Sequence, residues 1–486
     1  MEIPISQTDE IKVVQKTMYI RGRYLALALI ATIGLSSGVT ALITSNGGTS
    51  VLPGSSTATP EFQKLMDTYK TLQESYYQEA KSDTLLNGAI EGMIKSLEDP
   101  YSTYMAPDQA QQFHENIESS FEGIGAEIRE EEGKIVVVSP IKGSPAEKAG
   151  IKPNDRIRSV DGKTLDGMTA SEAVLHIRGK KGSKAELIIE RPGQQGELNI
   201  SLVRDTIPIE TVYAEMLPEK MGKIQITKVS ETTYTEFSKA LDELKAQGMK
   251  GLIIDVRQNP GGLLDKTVQM VDLLLPEGKM ILQVEYRDGS KDTYKSDAKK
   301  EDLPIVVMID EGTASAAEIL AGALKESGDV PLVGTKSFGK GTVQTTKSFK
   351  DGSDIKYTIA KWLTPDGNWV HKKGIEPDYK VELPAYANLT AIDPEKEMRQ
   401  EQFSNEVKSA QTMLDALGFK PGRVDGYYDA KTTEAVKAFQ TANQLDATGT
   451  IKDATAIKLM EQLKEKLKKN DLQLEMAERV LRKMIP

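Results

Sequence analysis

Apolar positions along this chain change period several times, and each change marks a new kind of element. Over residues 60–118 the apolar side chains recur every three to four positions, as at Leu65, Tyr69, Leu72 and Tyr76, which predicts helices. Over 119–205 the pattern shortens to strands. Residues 135–138 form one, and 185–190 and 197–202 form a hairpin around Pro192-Gly193, preceded by a helix over 170–177. From 206 to 385 strand and helix patterns alternate: strands at 221–226, 251–256, 303–310 and 330–334, helices at 232–246, 266–275 and 316–324. That alternation is the mark of a mixed α/β core. Residues 287–302 are polar and turn-rich, and predict an exposed loop. A charged connector (386–403) leads to a small helical unit with a Gly/Asp-rich middle (404–460). The chain closes with a charged helix over 461–486, carrying Leu463, Leu467, Leu474 and Val480.

The N-terminal end follows other rules. Residues 24–44 are uncharged and mostly apolar, long enough to cross a bilayer as a helix. Lys12, Lys16, Arg21 and Arg23 precede them, so residues 1–23 are expected in the cytoplasm and the body outside it. The span exceeds an ordinary signal core, which favours an anchor; Val39-Thr-Ala41 leaves a cleaved signal, and hence secretion, open. Residues 45–59 are rich in Gly, Ser and Thr and read as a flexible linker.

Composition narrows the function. With 486 residues the chain holds about three domains or more. A net charge of −10 argues against nucleic acid as the main partner. The absence of cysteine excludes disulfides, thiolate zinc sites and a cysteine nucleophile. No His, Asp and Glu cluster at ligand spacing, so neither metal nor other cofactor is expected.

The candidate nucleophile is Ser315, in Glu311-Gly-Thr-Ala-Ser-Ala-Ala-Glu318, between a strand and a helix. Such a turn presents a hydroxyl beside the first free N–H groups of the helix, where an oxyanion would form. The base is less obvious. His114 and His176 fall in polar or structural helix positions, and His371, in Trp369-Val-His-Lys-Lys, is the one rival. Lys340, between Gly339 and Gly341, could act as base if burial kept it neutral, and Gln344 could hold its amine without adding charge. Spacing alone favours a solvated loop lysine, with Gln344 a surface residue. The turn Asn259-Pro-Gly-Gly262 offers Gly261 and Gly262 N–H groups to join that of Ala316 in an oxyanion hole, or is a plain tight turn.

Taken together these boxes resemble the carboxy-terminal processing peptidases, or tail-specific proteases. The resemblance rests on Thr-Ala-Ser-Ala-Ala-Glu318, Ser337-Phe-Gly-Lys-Gly-Thr-Val-Gln344 and Asp255-Val-Arg-Gln-Asn-Pro-Gly-Gly262. Asp99-Pro-Tyr-Ser-Thr-Tyr-Met105 and Gly374-Ile-Glu-Pro-Asp378 add to it, and the match covers about residues 60–385. It implies a serine endopeptidase with Ser315 as nucleophile, Lys340 as base and Gln344 positioning Lys340. Residues 119–205 resemble a PDZ domain, with Gly123, Ile124, Gly125 and Ala126 as the carboxylate-binding loop and a peptide-pairing strand over 127–129. Arg178 would couple this module to the core, or belong to a solvated basic loop. Residues 404–460 resemble a peptidoglycan-binding domain, through Val407-Lys-Ser-Ala-Gln-Thr-Met-Leu-Asp-Ala-Leu-Gly418 and Thr433-Glu-Ala-Val-Lys-Ala-Phe-Gln440.

The expectation is therefore a multidomain protein. It has an N-terminal helical, oligomerising region (60–118), a β-rich PDZ-like module (119–205), an α/β protease core (206–385) and a small α-helical C-terminal domain (404–460). Its partners would be protein or peptide C-terminal tails, the membrane through 24–44, and cell-wall peptidoglycan, with a homodimer left open. A non-catalytic scaffold and a cell-wall ester or amide hydrolase are the rival readings.

Overall fold

The computed structural model describes residues 59–485 apart from 132, 195, 298–302 and 388. The apolar span 24–44 and its flanks lie outside the described residues. Among the described residues no helix is long and apolar enough to cross a membrane.

The chain divides into two compact units at Gly88/Ala89. In the first, a helix runs over Pro60–Ser75, with proline at its first position, where a missing N–H costs nothing. Its apolar residues Phe62, Leu65, Met66 and Leu72 are exposed.

The second unit is built on a six-stranded sheet. Val212–Leu217 pairs antiparallel with Met221–Ile226; Gly251–Asp255, Ile305–Ile309, Leu332–Gly334 and Tyr379–Lys380 then follow in parallel. The register sets Ile224 beside Ile254, Ile254 beside Val307 and Met308 beside Val333. These strands are apolar throughout because both faces are covered. Leu252, Ile254, Ile305, Val307 and Ile309 face a core closed by Thr233–Ala246, Leu264–Asp272 and Ala316–Gly328. The alternate residues Ile253, Val306, Met308 and Val333 pack against Ala477, Val480 and Leu481 of the final helix, Leu472–Met484.

That last contact differs from the single charged C-terminal helix expected from the pattern. The segment is two helices, Asp453–Lys469 and Leu472–Met484, broken at Asn470-Asp471, where the Asp471 carboxylate caps the second by accepting from Leu474 N–H. The apolar stripe of the second helix is spent on the six-stranded sheet within the same chain. The expected loop over 287–302 is also partly ordered: Met280–Tyr286 and Lys291–Lys295 form a hairpin, and polar side chains along it reflect an exposed face rather than missing structure. This hairpin belongs to a second sheet with Thr103–Met105, Thr342–Ser348 and Asp354–Leu363.

The PDZ-like module has Ala126–Glu131, Lys134–Pro140, Arg156–Val160, Lys184–Glu190 and Glu197–Val203 in that order across its sheet. Ser120–Gly123 pairs with Asp205–Pro208 and closes the two ends of the module together. The C-terminal helical unit packs Val407, Leu414, Val436, Phe439, Leu459 and Leu463 around a fully buried Tyr428.

Candidate active site

Three loops leave the carboxyl ends of neighbouring parallel strands and meet. They are 256–263 after Gly251–Asp255, 310–315 after Ile305–Ile309, and 335–341 after Leu332–Gly334. A crevice outside the carboxyl ends of parallel strands is where open α/β sheets place their sites.

Ser315 sits at the mouth of the helix Ala316–Gly328, half-buried, with φ 54° and ψ −117°. A non-glycine residue there carries strain of about 1–3 kcal/mol. Local bonds hold it. Ala314 N–H donates to Asn259 O at 2.9 Å, Thr313 Oγ1 donates to Val256 O at 2.8 Å, and Ser315 N–H donates to Glu318 Oε2 at 2.9 Å. Gln258 is drawn in by Asp310, which accepts from its N–H at 2.8 Å and its side-chain amide at 2.7 Å.

Gly261 packs directly beneath Ser315. A Cβ on it would lie 2.8 Å from Ala314 O and from Ser315 Cβ, and 2.9 Å from Ala316 N. Its N–H is already taken, donating to Asn259 Oδ1 at 2.8 Å. The N–H groups of Ala316 and Gly262, by contrast, make no hydrogen bond among the described residues.

Lys340 lies in the loop just ahead of the strand Thr342–Ser348 rather than on it. Its side chain is half-buried, and Nζ lies 4.9 Å from the centre of the Tyr101 ring. Burial pushes its amine below the usual range, and Lys356 adds to this, while Asp99 and Glu318 oppose it. Among the described residues no hydrogen bond joins Lys340 Nζ to Ser315 Oγ. Indole N–H groups fix the loop's carbonyls, Trp362 on Lys340 O at 2.9 Å and Trp369 on Gly341 O at 2.8 Å.

Gln344 is turned elsewhere. The expected bond to the Lys340 amine is absent among the described residues; instead Gln344 Nε2 donates to Thr342 Oγ1 at 2.8 Å and Thr358 Oγ1 at 3.2 Å. Thr358 in turn donates to Asp99 Oδ2 at 2.6 Å. A register shift between Val343 and Gln344 sets this direction. Burial pushes the Asp99 carboxyl up, but hydrogen bonds from Ser102, Thr358 and the Tyr101 N–H outweigh it and hold it below its usual range. His371 stacks on Trp369 with ring centres 5.1 Å apart and meets Tyr101 edge-on, so it supports the Tyr101 ring.

Tyr101, Phe338 and Lys340 line a cleft of about 1060 Å³. Leu383, Pro384 and Leu389 line it too, with Leu467 and Lys468 from the end of Asp453–Lys469. Arg257 and Asp471 are also in its lining. Arg257 pairs with Asp255 at 2.8 Å and with Asp471 at 2.7 Å.

In the PDZ-like module, Ile124 is buried in the core and its carbonyl accepts from Ala146 N–H. Gly125 has φ +76°, and a Cβ there would fall 2.3 Å from Ser144 Cβ. Gly123 ends the strand paired with Asp205–Pro208, and Ala126 begins Ala126–Glu131, which lies at the edge of its sheet with one side unpaired. An edge strand beside a glycine turn is what an added peptide strand requires. Among the described residues Arg178 makes no hydrogen bond or ion pair with residues 206–385. It pairs with Glu115 at 3.1 Å and covers the Phe121 ring at 4.8 Å. Glu115 belongs to the helix Pro107–Glu118, whose His114 bonds Asp354 at 2.7 Å, so the link to the core runs through that helix.

Sequence reasoning assigned no role to Glu318, Tyr101, Asn259 or the Arg257–Asp471 pair. Only Glu318 had a local signal, as the acidic residue three positions after a serine at a helix start.

The comparisons agree with this architecture. Residues 220–381 match the model of peptidase family S41, 123–202 a PDZ domain, 403–459 a putative peptidoglycan binding domain and 43–109 the activating protease CtpB N-terminal domain. The chain is 49% identical over 456 residues to the carboxy-terminal processing protease CtpA of Bacillus subtilis (strain 168), covering 94% of this chain and 97% of that one. It is 44% identical over 454 residues to the carboxy-terminal processing protease CtpB of the same organism, covering 91% and 95%. A probable CtpA-like serine protease of Staphylococcus aureus (strain COL) is 38% identical over 475 residues, covering 97% and 95%. Fold and matches define a serine-type peptidase carrying a PDZ domain and a peptidoglycan-binding domain. The chain belongs to the carboxy-terminal processing proteases of peptidase family S41.

Proposed function

We propose that the protein is an endopeptidase in which Ser315 attacks the scissile carbonyl, with Lys340 as general base and then general acid. The observation that carries this reading is that the loop ending in a strained, half-buried Ser315 and the loop of a lysine whose amine is lowered by burial adjoin, and both contribute lining to one cleft, through Gly312 and Ala314 and through Lys340. The free N–H groups of Ala316 and Gly262 stabilise the oxyanion, and Gly261 supplies the close approach beneath Ser315. For reaction Lys340 Nζ turns from the Tyr101 face to Ser315 Oγ. Gln344 acts on Lys340 through Thr358 and Asp99 in the arrangement described here, and directly once the lysine has turned.

The PDZ module holds a substrate's C-terminal tail by strand addition to Ala126–Glu131, with the 123–126 turn at its carboxylate. Holding the tail raises the local concentration of the scissile segment in the cleft. The apolar span 24–44 with its preceding basic residues supports a membrane anchor and a body outside the cytoplasm, and the C-terminal helical unit supports attachment to the cell wall.

The test is degradation of an unstructured protein by the purified chain. Ser315→Ala and Lys340→Ala are each expected to abolish cleavage and leave tail binding intact. Full activity in Lys340→Ala would remove the mechanism.

A further inference from the structure

Glu318 is fully buried, an unusual place for a carboxylate. It stands in the first turn of the helix Ala316–Gly328, where the positive end of the helix dipole favours it. Its surroundings supply four donors. Oε2 accepts the N–H of Ser315 at 2.9 Å and the N–H of Lys340 at 2.8 Å. Oε1 accepts the Ser337 hydroxyl at 2.6 Å and the N–H of Gly339 at 2.7 Å. One side chain thus spans the nucleophile's turn and the lysine's loop, which come from different strands. A second bond between the same loops, from Phe338 N–H to Thr313 O at 3.0 Å, runs between main chains alone.

We propose that Glu318 is the positioning residue of the catalytic centre, its carboxylate setting the separation of Ser315 and Lys340 by accepting the main-chain N–H groups of both. This rests on the Ser315/Lys340 reading above. Ordinary helix capping needs only the Ser315 contact; the Gly339 and Lys340 contacts have no capping purpose. Since two main-chain N–H groups share Oε2 and a third meets Oε1, an amide cannot replace the carboxylate. In either orientation its NH₂ would face a main-chain N–H.

The charge also bears on the base. Asp99 and Glu318 both favour the ammonium of Lys340, whereas Lys356 and burial oppose it, and Tyr101 lies against it. Removing the Glu318 charge while the others stay therefore eases deprotonation of Lys340.

The experiment uses Glu318→Gln and Glu318→Asp in the full chain, with kcat, KM, melting temperature and the pH dependence of kcat on an unstructured protein substrate. Glu318→Gln is expected to lower kcat roughly 10- to 100-fold with little change in KM, as for a small displacement of reacting groups. The limb on which the rate rises with pH should move to lower pH. Glu318→Asp keeps the charge but shortens the reach, so kcat should fall with that limb unmoved; it carries the test if the Gln variant does not fold. Wild-type kcat in either folded variant overturns the proposal. So does a loss of kcat in Glu318→Gln that follows a loss of melting temperature with the limb unmoved. If Lys340→Ala is active, the underlying mechanism has failed instead. If Lys340→Ala is inactive while both Glu318 variants behave as wild type, only this inference has failed.

Discussion

The ammonium of Lys340 lies over the ring of Tyr101, 4.9 Å from its centre, on the wall of the cleft. A ring face stabilises the charged form by about 0.5–2 kcal/mol. It therefore competes with the neutral amine that burial promotes. Tyr101→Leu keeps the burial and removes the ring. The rate should then begin to rise at lower pH than in the wild type, while Tyr101→Phe should leave the profile in place. A pH–rate series on the three proteins checks this.

Gly261 has no room for a side chain. At φ +98° an added Cβ would meet three atoms of residues 314–316 at 2.8–2.9 Å, so Gly261→Ala must displace the turn or Ser315. The expected result is a loss of kcat of roughly 100-fold. Tail-peptide binding, measured calorimetrically, should be unaffected, because the PDZ module lies elsewhere in the fold.

Phe338 is 56% exposed although it is a large apolar residue beside Lys340. An exposed side chain of this kind in a cleft is available to substrate. Phe338→Ala is expected to raise KM about tenfold for substrates with apolar side chains, equivalent to about 1.4 kcal/mol. Neither kcat nor melting temperature should change much, since little is buried against it in the free protein.

Asp471 ties the final helix to the protease core through Arg257. Burial pushes its carboxyl up, but the guanidinium outweighs this and holds it below the usual range. A carboxyl lowered in the folded state contributes stability above its unfolded pKa and loses it as pH falls through the folded one. The wild type should thus lose melting temperature on acidification. Asp471→Asn should be less stable by roughly 1–3 kcal/mol at neutral pH and show less of that acid dependence.

Much of this arrangement was readable along the chain. The strand Met221–Ile226 and the helix Ala170–Ile177 came directly from hydrophobic period, because one period suits each element and the neighbours agree with it. Ser315, between an apolar strand and a helix of small residues, was legible for the same reason: the signal lies within a dozen consecutive residues. The direction of Gln344 was not, because a register shift against Asp354–Leu363 turns it toward Thr358, and pairing partners 14 residues away are not written in local spacing. Nor was the role of the last helix, whose stripe Leu474, Ala477, Val480 and Leu481 fits a dimer face as well as an intramolecular one.

What the chain by itself determined is the inventory: which segments are strands or helices, and which hydroxyl and amine are candidates for chemistry. The tertiary structure alone decided which N–H groups remain free among the described residues, that Gly261 gives its own to Asn259, and that the end of Asp453–Lys469 lines the same cleft as Lys340. It also decided that a single buried carboxylate receives both Ser315 and Lys340. The reason is physical. Local periodicity follows from the geometry of one backbone segment, whereas the separation of Ser315 and Lys340 is set by how neighbouring parallel strands bring their loops together and by the hydrogen bonds that close between them.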